Sequence, residues 1–301
     1  MEAYSMGIPE TQLETWSHQG SVTQSSQTYQ SVKAVLESKN ASYSTRNFEV
    51  FLQGSYGNDT NIYAESDVDI VIRLESTYYE DISNLSSSEQ SLYKSSSSPA
   101  SYSLSDFKND VVSVLTQAYG ADVKVGDKAI QINARGNRRK TDVVVCAQYR
   151  NYHSFSGIYN QNYTEGIVFW TLKGVHIVNY PKIHSKNLTQ KHQQAGTWFK
   201  PMARILKNMR SKMVADGLIA AGIAPSYYIE GLLYNVPSTE FGKSYEDSVV
   251  NSINWLLKAD KSKFLCANEQ YYLCHPSSPV TWRTENMNAF IEGATQLWKK
   301  W

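Results

Sequence analysis

Residues 53–72 read QGSYGNDTNIYAESDVDIVI and place two aspartates, Asp67 and Asp69, one residue apart at the start of an apolar run. Side chains alternate between the two faces of a β-strand, so this spacing directs both carboxylates to one face and Val68 and Ile70 to the other. Ionised carboxylates are costly to place among apolar side chains unless another group compensates their charge. The stretch therefore predicts a strand whose acidic face binds a cation.

A third aspartate, Asp142, opens the apolar run TDVVVC at residues 141–146. If this run is a strand beside the first, the three carboxylates converge in a site that suits Mg²⁺ or Mn²⁺. Three carboxylates can hold two such ions, which stabilise both the attacking and the leaving oxygen of a phosphoryl transfer. The Gly54-Ser55 turn adds N–H groups and a hydroxyl that suit phosphate oxygens. The combination indicates nucleotidyl transfer. The alternative is a loop with scattered acids, since a lone D-x-D occurs in many turns.

The rest of the first half alternates between helix-like and strand-like segments. Apolar spacing predicts helices over 10–38 and 105–120, the second with Ser105 as N-cap and Gly120 just past its end. The serine-rich residues 82–105 are typical of a mobile surface insertion rather than of regular structure. Strand-like runs occupy 49–55, 67–74, 121–126, 128–134 and 141–149. This order favours an α+β fold with a mixed β-sheet and helices on one face.

From about residue 196 onward, helical patterns dominate the sequence. They cover 197–215, 225–235, 245–259 and 284–300. We therefore predict two domains. Residues 1–180 form the catalytic domain, and residues 181–301 form a helical lobe that closes the nucleotide pocket.

The helical half also offers phosphate and base contacts. Residues 199–213 read FKPMARILKNMRSKM, in which an apolar stripe runs beside a cationic stripe made of Lys200, Arg204 and Lys207. The cationic face either meets a triphosphate or is a solvated basic surface. Ser226 follows Pro225 at the positive end of a predicted helix, where phosphate binds well. The adjacent Tyr227 either stacks on a nucleobase or packs in the core.

Composition narrows the function further. The formal net charge is +1, without the basic excess that proteins gripping long nucleic acid usually carry, so stable DNA binding is not expected. The sequence shows neither a signal peptide nor an apolar run long enough to span a membrane. Three cysteines without paired spacing suit a reducing compartment. We expect a cytoplasmic enzyme that acts on nucleotides, as a monomer.

The motifs together resemble one known family. The segments QGSYGNDTNI, SDVDIVI, TDVVVC, NYPKIH, FKPMARILKNMR and PSYYIEGLLYNVP are similar to those of the bacterial CD-NTases. These are the cGAS/DncV-like nucleotidyltransferases (SMODS family), and the similarity is greatest to their clade E, the CdnE type. The resemblance covers nearly the whole chain. It implies a polymerase-β-like core with a mixed sheet, a long N-terminal spine helix and a helical C-terminal lobe.

The resemblance also implies roles for individual residues. Asp67 and Asp69 match the metal-binding D-x-D, and Asp142 matches the third acid, which together hold two Mg²⁺ ions. Gly54 and Ser55 match the phosphate-binding turn.

Five positions of the second half match substrate contacts of that family. Lys207 and Ser226 match triphosphate-binding residues, Lys200 is a further phosphate contact, and Tyr227 matches the aromatic residue that stacks on a base. Asn179 matches a position where asparagine accompanies pyrimidine selection, and its amide offers a donor and an acceptor to uracil.

The family's activity implies the products and partners. NTPs, with UTP and ATP foremost, become a cyclic dinucleotide such as c-di-UMP or cyclic UMP-AMP, with release of pyrophosphate. That product activates an effector encoded in the same CBASS anti-phage operon. Three alternatives stay open: an RNA-tailing nucleotidyltransferase, a protein AMP transferase, and a non-catalytic nucleotide-binding module.

Overall fold

The structure is a computed structural model that describes residues 7–65 and 67–301. Residues 1–6, with which the predicted first domain begins, and Ser66 lie outside the described residues. The chain divides into two compact units whose segments alternate along the sequence. The first, here called the α/β unit, consists of Thr23–Gln53 and Asp67–Pro181. The helical unit consists of the rest of the described chain.

The chain therefore passes between the two units at more points than the single predicted boundary at residues 180–181. One crossing lies between Pro181 and Lys182, and others follow Val22 and Gln53. The segment between Gln53 and Asp67, which contains the Gly54-Ser55 turn, thus belongs to the helical unit. Local sequence patterns carry no information about which core a short connecting segment joins, which is why these crossings were not predicted.

Within the described residues, seven strands form one mixed sheet in the α/β unit. In chain order they are β1 Phe48–Gln53, β2 Val68–Asp81, β3 Val123–Val125, β4 Ile130–Ile132, β5 Thr141–Phe155, β6 Gln161–Trp170 and β7 His176–Asn179. Strands β2 and β5 are parallel neighbours, and β1 lies antiparallel on the other side of β2. The first part of β5 pairs with β4, which pairs with β3, whereas its second part pairs with β6, which pairs with β7.

The predictions for β1 to β5 are confirmed. Strand β2 is buried on both faces, with Ile70, Val71 and Ile72 at 0% exposure, as expected for the continuous apolar run of a central strand. Strands β6 and β7 were not predicted, because the first half of β6 is polar and only partly buried. Antiparallel pairing with β5 stabilises β6 as a strand, although the composition of β6 does not predict one.

Ten helices belong to the described chain. They are α1 Glu10–Ser17, α2 Val22–Leu36, α3 Gly54–Gly57, α4 Ser87–Ser96, α5 Leu104–Tyr119, α6 Pro181–Gln194, α7 Phe199–Ala215, α8 Ser226–Asn235, α9 Tyr245–Lys258 and α10 Thr284–Lys300. The four helices predicted for the second half are confirmed as α7 to α10. Helix α6 was missed because its sequence is mostly polar and buries only His184 and Leu188.

The single helix predicted over 10–38 is two helices, α1 and α2. At the break, the Gly20 amide donates to the Asn61 carbonyl at 3.0 Å. A Cβ at Gly20 would lie 2.7 Å from the backbone of Ile62. This close approach of two backbones requires glycine and takes the chain out of the helical path.

Residues 82–105 correct another prediction, because they contain helix α4 instead of lacking regular structure. Ser86 and Glu89 form a reciprocal capping box at its start. Tyr93 is only 3% exposed, and its ring packs 5.2 Å from that of Phe155. The serine-rich composition conceals both the capping box and the buried tyrosine.

The start of helix α5 also differs from its prediction. Its N-cap is Ser103 rather than Ser105: the Ser103 hydroxyl accepts from the Asp106 amide, and the Asp106 carboxylate accepts from the Ser103 amide. Gly120 ends the helix with a φ of 57°, as predicted.

Truncating Tyr93 tests whether helix α4 is part of the folded core. We expect Tyr93→Ala to lower the free energy of unfolding by about 3–4 kcal/mol, since it removes a buried aromatic ring. Limited proteolysis should then cut within residues 82–105. The neighbouring Leu92→Ala is the matched control: Leu92 is 43% exposed, and its loss should change stability by less than about 0.5 kcal/mol. Equal effects of the two substitutions in urea unfolding would contradict the packing of α4.

Helix α7 forms the centre of the helical unit's core. The predicted apolar stripe is confirmed, and all five of its members are at most 2% exposed: Met202, Ile205, Leu206, Met209 and Met213. Other helices of the unit contribute Leu188, Leu232, Val249 and Phe290 to the same cluster. Across the described part of the chain, every helix is too short or too polar to cross a lipid bilayer.

Candidate active site

Two of the three predicted acids are direct neighbours at one end of the sheet. Asp69 of β2 and Asp142 of β5 are in-register partners on parallel strands. Gln53 of β1 lies opposite Asp69 on its other side, and Gln131 of β4 lies opposite Asp142. In-register neighbours present their side chains on the same face of a sheet. A row of two carboxylates flanked by two amides therefore crosses four strands, and we call it the acidic row.

Asp142 is partly buried, and its environment shifts its pKa. Its Oδ1 is buried and has no hydrogen-bond partner within the described residues. Burial raises the pKa of the Asp142 carboxyl above its ordinary value, and Asp67 adds to this effect. Lys140 and a hydrogen bond from Gln131 act in the opposite direction without cancelling it. A buried carboxylate oxygen without a donor is costly in an apolar setting, and a bound cation would satisfy it.

Asp67 lies at the same end of the sheet but makes a different contact. Its Oδ2 accepts a hydrogen bond from the Lys140 ammonium at 2.8 Å, and both side chains are about half exposed. In residues 7–65 and 67–301, no three His, Cys, Asp or Glu side chains are arranged to hold one metal ion. The structure thus brings Asp69 and Asp142 together, while Asp67 pairs with a lysine.

The donor set of this region still fits a divalent cation. It offers hard carboxylate oxygens on two rigid neighbouring strands, with one of those oxygens unsatisfied, and such ligands suit Mg²⁺ and Mn²⁺. Asp69 and Asp142 would hold the ion from the strands. Asp67 would complete the set once its carboxylate leaves Lys140.

The Gly54-Ser55 turn belongs to a second constellation, in the helical unit. Gly54 has a φ of 67°, a conformation that favours glycine. The Lys207 ammonium donates to the Ser55 hydroxyl at 3.1 Å, to the Thr60 carbonyl and hydroxyl at 3.1 and 3.0 Å, and to Glu230 Oε1 at 2.6 Å. Lys207 is 0% exposed, and burial lowers its pKa despite the attraction of Glu230. Its three N–H groups already have four acceptors, so a direct bond to a triphosphate requires one of them to be released.

Glu230 links this lysine to the predicted base-stacking residue. Its Oε2 is 2.9 Å from His184 Nε2, and the Thr60 hydroxyl donates to its Oε1. Burial alone would raise the pKa of Glu230, but Lys207 and His184 outweigh it and hold that pKa well below its usual range. The His184 ring in turn stacks on Tyr227, with 4.6 Å between centroids and 17° between planes. A continuous network, buried at Lys207, Glu230 and His184, therefore runs from Ser55 to Tyr227.

The predicted cationic face of helix α7 does not exist as an open surface. Lys200 Nζ donates to Asp59 Oδ2 at 2.8 Å, and its side chain is 11% exposed. Arg204 donates to the Asp59 and Ser17 carbonyls. Together with Lys207, these cations anchor the segment that follows the Gly54-Ser55 turn to helix α7. In this arrangement they do not form a solvated basic face.

Ser226 begins helix α8 as predicted, beside an anion supplied by the protein. The Ser226 hydroxyl donates to Glu65 Oε2 at 3.0 Å. Arg210, which is 8% exposed, donates to the other oxygen of Glu65 and to the Ala224 carbonyl. A cavity of about 580 Å³ is lined by residues that include Glu65, Arg210 and Ser226. A carboxylate thus lies at the helix N-terminus where phosphate was expected.

Asn179 is the last residue of β7 and directs its amide oxygen to its own chain. Oδ1 accepts from the Tyr180 amide at 2.8 Å, at the start of helix α6. This contact orients the side-chain amide at the junction between β7 and α6.

Several residues of these constellations were missed by sequence reasoning. Lys140 lies two residues before Asp142, and a cation that close to a predicted metal ligand was a usable signal. Glu230 is a lone acid in the apolar stretch YYIEGLLY, so its burial demanded a cationic partner. His184 and Gln131 gave no local signal, because their positions follow from tertiary pairing.

Comparison with known proteins identifies the family. The domain model of the cGAS/DncV-like nucleotidyltransferase C-terminal helical domain matches residues 186–299. The cyclic UMP-AMP synthase of Rhodothermus marinus (strain SG0.5JP17-172) is 39% identical over 298 residues, which cover 98% of this chain and 99% of that protein. The chain belongs to the cGAS/DncV-like nucleotidyltransferases.

Other comparisons assign it to the CdnE type of this family. The cyclic nucleotide synthase CdnE01 of Staphylococcus haemolyticus is 35% identical, over 98% of this chain and all of that protein. The solved structure of Rhodothermus marinus CdnE c-UMP-AMP synthase with Apcpp and Upnpp superposes with a TM-score of 0.88 and 38% identity, covering 98% and 97% of the two chains. The family resemblance and the predicted fold class are confirmed.

Membership in this family makes the protein an enzyme, a nucleotidyltransferase of the cyclic-nucleotide-synthase type. The nucleotide analogues bound in the Rhodothermus structure also support NTPs as the substrates of this type of enzyme. Nucleotidyltransferases of this family generally use divalent metal ions, in agreement with the donor set of the acidic row.

Proposed function

We propose that this CdnE-type enzyme joins two NTPs into a cyclic dinucleotide and releases pyrophosphate at each of two transfer steps. The observation that carries the proposal is the in-register pair of Asp69 and Asp142 with a buried, unsatisfied carboxylate oxygen. Two carboxylates on adjacent rigid strands suit a divalent cation, and phosphoryl transfer depends on charge stabilisation of that kind.

The acidic row and Asp67 would hold two Mg²⁺ ions, with Mn²⁺ as a substitute. When bound, these ions supply the positive charge that favours ionisation of the attacking ribose hydroxyl and neutralises the donor triphosphate. The carboxylates of Asp69 and Asp142 are fixed by their strands, which limits their movement during the reaction. The hydroxyl oxygen bonds to the α-phosphorus while the bond to pyrophosphate breaks. A second transfer by the linear intermediate closes the ring.

The triphosphate would be bound by residues of the helical unit. The Ser55 hydroxyl and the backbone N–H groups of its turn would donate hydrogen bonds to phosphate oxygens. Lys207 orients Ser55 through their 3.1 Å hydrogen bond. Ser226 would bind phosphate in place of Glu65, and Lys200 is a further contact if it leaves Asp59. Tyr227 would stack on a base with one ring face, because the other face rests on His184.

Uracil is the base that we propose for at least one of the two nucleotides, with adenine as the other candidate. The support is the side-chain amide of Asn179, which can offer both a donor and an acceptor to a pyrimidine edge. A relative that is 39% identical is named a cyclic UMP-AMP synthase, which agrees with this choice. The product would then be c-di-UMP or cyclic UMP-AMP.

The biological role that we propose is CBASS anti-phage defence in the cytoplasm. A monomeric synthase would make the cyclic dinucleotide as a second messenger, and an effector from the same operon would bind it. The support is the family alone, since the described residues offer no docking site that identifies an effector.

The proposal is tested by mass spectrometry of the products from ATP, GTP, CTP and UTP with Mg²⁺, after phosphatase treatment. We expect a phosphatase-resistant product that contains uracil. Asn179→Ala should lower the use of UTP relative to ATP by about tenfold or more, because the site loses a paired polar group. A linear, phosphatase-sensitive product would favour an RNA-tailing enzyme. Nucleotide binding without pyrophosphate release would favour a binding module.

A further inference from the structure

Lys140 holds a fixed position next to the acidic row. It lies immediately before β5, and its carbonyl accepts from the Val68 amide at 3.0 Å, which ties the starts of β2 and β5 together. Its ammonium donates to Asp67 Oδ2 at 2.8 Å. The ion pair is therefore built on two adjacent strand ends and does not depend on a long flexible loop.

The charge of Lys140 acts on more than Asp67. Its ammonium also interacts electrostatically with Asp69 and Asp142. Three carboxylates in one region repel each other when no cation is present, and a nearby ammonium reduces that repulsion. Lys140 thus compensates part of the negative charge of the three aspartates.

The same ammonium opposes the binding of a metal ion. A divalent cation near Asp69 and Asp142 is repelled by Lys140, and Asp67 can turn its Oδ2 to the ion only by giving up the lysine. At equal distance and dielectric constant, a doubly charged ion attracts a carboxylate twice as strongly as an ammonium does. The pair is about half exposed, so breaking it is inexpensive. Replacement of Lys140 by the divalent ion as the partner of Asp67 is therefore favourable. The lost ion pair and the repulsion from Lys140 nevertheless lower the net affinity for the ion.

We propose that Lys140 is an internal counter-ion of the acidic region, which holds Asp67 in the metal-free enzyme and is displaced from it when a divalent cation binds. The proposal rests on the metal site of the proposed function. The Lys140 charge reduces the repulsion among the three carboxylates, and it sets the metal affinity lower than the carboxylates alone would give.

The test measures Mn²⁺ binding by electron paramagnetic resonance, with purified full-length protein and no nucleotide. Lys140→Met removes the charge and keeps most of the side-chain length, and it should tighten Mn²⁺ binding about threefold to tenfold. Lys33→Met is the matched control. It removes the same charge from the same unit and breaks an exposed ion pair with Glu37, away from the acidic row, so it should leave the affinity within about twofold.

Two further variants distinguish failure of the counter-ion role from failure of the metal site itself. Lys140→Arg keeps the charge and should bind Mn²⁺ no more tightly than the wild type; tightening equal to that of Lys140→Met would overturn the counter-ion role. Unchanged or weaker binding by Lys140→Met would also overturn it. Asp69→Asn should lose most Mn²⁺ binding. If Asp69→Asn binds like the wild type, the metal site of the proposed function is wrong, whatever Lys140 does.

Discussion

Replacing Asp69 with Asn should lower the rate of pyrophosphate release from NTPs by about 10³-fold or more. The substitution keeps the size of the side chain but removes a negative charge from the centre of the acidic row, beside Asp142. Loss of a group that only supports a metal ligand typically costs 10–100-fold, so the loss of a ligand itself should cost more. Steady-state kinetics at saturating Mg²⁺ and NTP measures the effect.

The control for this variant is Asp81→Asn, the same chemical change at the other end of strand β2. It should keep activity within about twofold. Thermal unfolding should show that Asp69→Asn remains folded, since it removes a charge that Asp142 repels. A folded Asp69→Asn enzyme with near-normal turnover would show that the acidic row does not take part in the reaction.

Replacing Glu230 with Gln should lower the free energy of unfolding by about 3–5 kcal/mol, because it leaves the buried Lys207 ammonium without its counter-ion. Glu230 is 2% exposed and also accepts hydrogen bonds from Thr60 and His184, so the change disturbs the whole network. Chemical denaturation measures the loss. A surface substitution of the same type, Glu285→Gln at the exposed start of helix α10, should change stability by less than about 1 kcal/mol.

A double variant separates the missing charge from the missing hydrogen bonds. Removing both charges, with Glu230→Gln and Lys207→Met together, should recover part of the stability that Glu230→Gln loses, because no buried charge is then unpaired. If Glu230→Gln alone is as stable as the wild type, the ion pair does not hold the Gly54-Ser55 turn in place.

The sequence alone was sufficient for the elements whose pattern is local. The apolar run after Asp69 specified the central strand β2, and the five-residue apolar stripe of helix α7 specified the core-facing side of that helix. The positions of Asp67, Asp69 and Asp142 at the starts of two apolar runs predicted that they lie at one end of one sheet. Register then brought Asp69 and Asp142 together, which follows from strand pairing and not from either segment by itself.

Predictions failed where tertiary contacts outweigh local composition. The serines of residues 82–105 suggested an insertion without structure, yet a buried tyrosine and a capping box support helix α4 within them. Lys200, Arg204 and Lys207 share a helix face, which the sequence pattern left open as a triphosphate contact or a solvated surface. Their partners Asp59 and Glu230 lie 141 and 23 residues away in the sequence, and the α7 pattern contains no information about them.

The most direct test of the central claim is a crystal structure of the enzyme with Mn²⁺ and a non-hydrolysable NTP analogue, with anomalous diffraction to locate the metal. Our account predicts anomalous peaks about 2.0–2.3 Å from carboxylate oxygens of Asp69 and Asp142, with Asp67 turned away from Lys140. Bound nucleotide with no manganese peak at these carboxylates, or with manganese bound elsewhere in the chain, would contradict it.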